Sequence, residues 1–151
     1  MALNQFTNQL GYFQANLETQ FDHTPTSQNT FDDLRITWTD QPEYQYNTSL
    51  GSRGEVQLKV RGIWKIDMVG TWQGATNDNL VLRAKIGQGS SYNSYPPVKW
   101  NGRGGNNWAI SYSTLIEVKS DEDVIVFQLK NEDDTAQCSL MLGILTAVKL
   151  Y

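Results

Sequence analysis

Apolar and polar residues alternate one for one through much of this chain, most plainly between positions 54 and 72. Val56, Leu58 and Val60 oppose Gln57, Lys59 and Arg61, the period of a strand with one wet face. Gly62 interrupts that run, and alternation resumes with Trp64, Ile66, Met68 and Gly70 opposite Lys65, Asp67 and Thr71. Two strands meeting at a glycine, with a tryptophan close behind, predict a sheet whose backbone turns sharply beside a large core side chain. Similar alternation predicts strands through Phe31, Leu34, Ile36 and Trp38, over residues 80–86, and over Trp108–Val118. Residues 124–129 and 138–150 are apolar on both sides, so both of their faces need cover.

Residues 4–21 carry a different period. Phe6, Leu10, Phe13 and Leu17 recur at intervals of four, three and four, which predicts a short helix with Asn4 as its cap. Gly11 weakens it by about 1 kcal/mol relative to alanine, and a helix this short needs a partner surface. Few charges flank the stripe, which favours docking over a regular coiled coil. Residues 1–29 are therefore read as an attachment segment and residues 30–151 as the domain. Pro and Gly punctuation makes residues 87–107 the longest irregular region.

With at least seven strands, short turns and no helix after Phe21, the expected fold is all-β, an antiparallel two-sheet sandwich. A sandwich normally leaves one face of each sheet wet. The doubly apolar strands thus predict contact between copies of the chain, with Ile125, Phe127, Met141 and Leu145 at the interface. Ala109, Ser111 and Ser113 are small and lie opposite the row of Trp108 and Ile110. Their size either lets neighbouring subunits approach closely or marks an ordinary half-wet strand.

Composition narrows the partners. The net charge is −4 and no run of basic residues exists, which argues against nucleic acid. Only 19% of residues are charged, a weakly charged polar surface suited to contact with protein or glycan. Cys138 is the sole cysteine, so the fold needs no intrachain disulfide and no oxidising compartment. No apolar stretch reaches the length of a membrane span or a signal-peptide core, so the expectation is cytoplasmic synthesis without membrane insertion.

Catalytic chemistry finds little footing. His23, the only histidine, sits in a turn-forming stretch, and no nucleophile-elbow motif accompanies it. Cys138 leads an apolar strand and reads as a buried, inert thiol. The acidic turns Asp121-Glu122-Asp123 and Glu132-Asp133-Asp134 match no calcium-loop spacing, so no metal or cofactor is assigned. Tyr92, Tyr95 and Trp100, with Arg103, give the 87–107 loop flat rings and a cation. Either they contact a glycan or receptor, or the rings pack the loop onto the sandwich.

Three motifs then occur in order. An aliphatic residue six before a glycine, with large apolar residues two and four after it, appears as Val56, Gly62, Trp64 and Ile66. A leucine-bearing strand, an acidic turn and an apolar strand appear at Leu115, Val118, Glu122, Val124 and Val126, with Asp121 where a glycine is usual. A closing strand carries Leu142, Gly143, Ile144 and Leu145. Over residues 31–150 this pattern resembles the tumour necrosis factor-like jelly rolls and the globular heads of complement subcomponents. The resemblance implies a compact homotrimeric jelly roll without enzymatic activity. Similar jelly rolls occur as heads of spikes, fibres and decoration proteins on bacteriophage particles. A place on a virion follows as the expectation, with other virion proteins as partners through Phe6, Leu10, Phe13 and Leu17. The alternative is a head that binds a host receptor or carbohydrate through the 87–107 loop.

Overall fold

Strand pairing begins earlier in the chain than the periodicity suggests. The computed structural model describes residues 9–103 and 107–151. In chain order the strands are β1 (Tyr12–Asn16), β2 (Phe21–His23), β3 (Asp32–Asp33), β4 (Gln45–Tyr46), β5 (Thr48–Leu50), β6 (Val56–Leu58) and β7 (Gly62–Gly74). They continue as β8 (Asn79–Gln88), β9 (Ser91–Ser94), β10 (Val98–Asn101), β11 (Trp108–Val118), β12 (Val124–Asn131) and β13 (Cys138–Lys149). One sheet has the order β11-β7-β13-β1-β4, with β2 on the first residues of β13. The other runs β10-β8-β12-β6-β5, with β3 on β12 and β9 on β8. Every pairing is antiparallel.

The inward residues of both sheets form one core between them. From the first sheet it takes Phe13, Trp64, Ile66, Met68, Trp72 and Ile116; from the second, Leu58, Leu80, Leu82, Ile125 and Leu129. Trp64 is fully buried, and its indole N–H donates to the Val60 carbonyl at 2.9 Å. That bond satisfies the ring's one polar atom and ties the start of β7 to the end of the preceding run. Between these two runs, Gly62 has φ +142° and lies against the Tyr151 carbonyl, leaving no room for a side chain.

The expected N-terminal helix does not form among the described residues. Tyr12–Asn16 is instead a strand between β13 and β4, with Phe13 and Ala15 buried and Tyr12, Gln14 and Asn16 facing out. The open edge of β13 offers every backbone group of this segment a partner, which a lone short helix cannot match. Gly11 is required here because the ring of Trp64 fills the space of a β-carbon. Leu10 is left 69% exposed, and Leu17 is partly buried and makes an isolated bridge to Trp38. Phe6 lies outside the described residues. Strands β1 and β2 thus both pair with β13 in the first sheet.

The 87–107 region is also more regular than expected. β9 and β10 both pair with β8, as one edge strand broken at Pro96 and Pro97. The buried Tyr112 hydroxyl holds the break. It donates to the Pro96 carbonyl at 3.0 Å and accepts the Ala84 N–H at 3.1 Å.

Candidate functional site

The outer face of the first sheet is the most unusual surface of the molecule. Antiparallel register aligns its outward side chains in rows across the strands. One row runs Leu115, Lys65, Val148, Tyr12 and Tyr46, with the two tyrosine rings stacked at 5.9 Å. The next is polar: Ser113, Asp67, Thr146 and Gln14. The row after that holds Ser111, Val69, Ile144 and Asn16, and Leu142 follows one step on, opposite Thr71. Leu142 is 69% exposed, Leu115 53%, Val69 49% and Ile144 47%. Scattered exposed leucines are ordinary, but here exposed apolar side chains lie on both sides of one polar row on a single sheet face.

The structure divides the residues expected at an interface. Ala109, Ser111 and Ser113 point outward on β11, on the same face as these exposed apolar residues, and Met141 is half-buried. Ile125, Phe127 and Leu145 point the other way, into the core between the sheets, so the chain itself covers them. A bulge between Leu140 and Leu142 inverts the alternation of β13 and turns Leu145 inward. On β12 the outward pair Val124 and Val126 is half-buried within one chain, flanked by Lys85 and Arg35 and by the Tyr92 ring that lies over Lys85 at 4.2 Å. No second subunit is needed there. β13 differs, since its outward apolar residues remain bare.

The aromatic residues of the 87–107 region also separate. Trp100 packs on Trp72 with ring centroids 5.8 Å apart, its indole N–H buried. Tyr95 packs against the core, and its hydroxyl accepts the Glu117 N–H at 3.2 Å. Both rings anchor the edge strand to the sandwich. Only Tyr92 stands on the outer face of the second sheet, and Arg103 is exposed elsewhere.

Several titratable groups are engaged in structure. Burial pushes the Cys138 thiol up to about 12, outweighing the opposing effect of a hydrogen bond with the Ser139 backbone. His23 sits 3.3 Å from Asp32; burial lowers its pKa below 6.5, and the carboxylate only partly offsets that. Asp123 accepts the N–H groups of Lys119 and Ser120, Asp133 that of Asn79, and Asp134 that of Ala136. These carboxylates cap turns.

No protein-family model and no curated protein matches this chain. Solved structures do. The Eiger TNF of S. frugiperda superposes with TM-score 0.64 at 11% identity, over 93% of this chain and 94% of that one. The globular domain of zebrafish complement 1qA gives TM-score 0.62 at 12% identity, covering 93% and 98% of the two chains. The fold is the TNF/C1q-like jelly roll. The vertex protein P5 of PRD1 also superposes, with TM-score 0.55 at 19% identity, over 93% of this chain and 97% of that one. At these identities the likeness is one of fold.

Proposed function

We propose that this chain is the non-enzymatic head of a homotrimer displayed on a virus particle. One observation carries the trimer: the TNF/C1q-like sandwich leaves Leu115, Val69, Ile144, Leu142 and Val148 exposed on the outer face of its first sheet in the single chain. Packing three copies around that face removes Leu142, Ile144, Val69 and Leu115 from water. The small outward residues Ala109, Ser111 and Ser113 let the backbones approach. The likeness to a PRD1 vertex protein supports the viral setting. Attachment to other virion proteins falls on residues ahead of β1, where Phe6 and the exposed Leu10 lie, because Phe13 and Leu17 pack within the sandwich.

The test replaces outward residues without touching the core. Leu142→Asp or Ile144→Asp places a charge in the contact that three copies would bury, where it has no partner. The expected result is a folded monomer with an unchanged far-ultraviolet spectrum. A trimer that tolerates both substitutions would refute this assignment of the interface.

A further inference from the structure

The second sheet carries a different feature on its own outer face. Arg35, the loop before β6, the turn between β8 and β9, and the start of β12 enclose an open cleft of about 310 Å³. Val124 and Val126 form its floor, Tyr92 one wall, and Arg35, Arg53 and Glu122 its rim. The volume is at the lower end of the range for small-ligand sites, roughly right for a single sugar ring.

The charged groups around it are unequally occupied. Asp33 is bonded to Lys85 at 2.9 Å and to Gln128 at 2.8 Å. Burial pushes the Asp33 carboxyl up, but Lys85, Gln128 and the charge of Arg35 outweigh that and hold it below the ordinary value. Glu55 accepts the backbone N–H of Arg53 at 3.0 Å. Among the described residues, the guanidinium groups of Arg35 and Arg53 have no hydrogen bond or ion pair, and neither has the Glu122 carboxylate.

We infer that this cleft binds a carboxylate-bearing sugar, such as a uronic acid residue of an acidic polysaccharide. A guanidinium fork matches the planar carboxylate bidentately, and two such forks line the cleft beside Val124 and Val126 with no hydrogen-bond partner of their own among the described residues. Acceptor-only carboxylates at Glu122 and Glu55 suit sugar hydroxyls. The same carboxylates disfavour a peptide carrying several acidic side chains, because like charges at short range repel. One negative charge surrounded by hydroxyls is what the lining complements. The inference does not rest on the trimer: the cleft belongs to one chain and lies on the other sheet.

Amide chemical shifts of the full ¹⁵N-labelled chain test it, with sodium glucuronate, glucose, and a short oligoglutamate peptide as probes. Glucuronate is expected to move the amides of Tyr92, Val124 and Val126, whereas glucose should move them at least tenfold more weakly. Arg35→Gln and Arg53→Gln should each weaken glucuronate binding at least tenfold while the solution mass stays that of the unchanged protein. Equal response to glucose and glucuronate, undiminished binding in both variants, or no response to glucuronate would overturn the inference. So would an oligoglutamate that binds tenfold more tightly than glucuronate, which would make the cleft a peptide-docking site.

Discussion

Gly11 and Trp64 make a two-residue test of the N-terminal strand. The three distal carbons of the Trp64 indole occupy the place where a β-carbon on Gly11 would go. Gly11→Ala therefore overpacks the core and should cost about 1–3 kcal/mol. Were residues 4–21 a docked helix, the same change would stabilise by about 1 kcal/mol, so the sign alone discriminates. Trp64→Phe removes those distal carbons and also the 2.9 Å bond to the Val60 carbonyl. Lost packing and a buried carbonyl left unpaired together should cost about 2–3 kcal/mol. In the double variant the new methyl enters the space the indole vacated. Its cost should then fall short of the sum of the single costs by about 1–2 kcal/mol. Urea unfolding at one fixed protein concentration, with m unchanged, measures all four corners of the cycle. Additivity within about 0.5 kcal/mol, or a stabilising Gly11→Ala, would refute the placement of β1 against Trp64.

Three further outcomes follow from the same geometry. His23 has its pKa lowered chiefly by burial, so the folded state resists its protonation. Stability from this group is complete above 6.5, the unfolded value, and is lost as pH falls from there through the lower folded value; His23→Gln should flatten the unfolding midpoint in that window. Cys138 is fully buried with its thiol pushed up to about 12, so a thiol reagent at pH 8 should label it only at the rate of unfolding. Deleting residues 2–21 removes β1 and the buried Phe13 and Ala15, so the truncated chain should show no cooperative unfolding transition.

Strands with one wet face were legible in the sequence. Trp64, Ile66 and Met68 alternate inward along β7, and Leu80, Leu82 and Ala84 along β8, because polar residues between them fix the parity. Parity is ambiguous where both faces are apolar. Nothing in 124–129 distinguishes the Ile125 and Phe127 face from the Val124 and Val126 face, and the β13 bulge at Met141 reverses an alternation that looks continuous. The N-terminal strand was hidden for another reason. Phe13 fits both a helical stripe and a strand, and the partner that decides between them, β13, lies at the other end of the chain. β9 and β10 are rich in polar residues and broken by two prolines, so their pairing depends on the free edge of β8 rather than on local pattern. Trp100 looked available for a ligand because its distant neighbour Trp72 cannot be read from spacing. Arg35 and Arg53 had no sequence signal, since only the folded chain brings both to the lining of one cleft.

On this reading, copies of the chain cover the outer face of its first sheet. Light scattering coupled to size separation on the unmodified protein, at micromolar concentration and moderate salt, tests that most directly. The predicted mass is three times the 17.1 kDa of one chain. A species of 17.1 kDa, stable in solution with Leu142 and Ile144 in water, would contradict it.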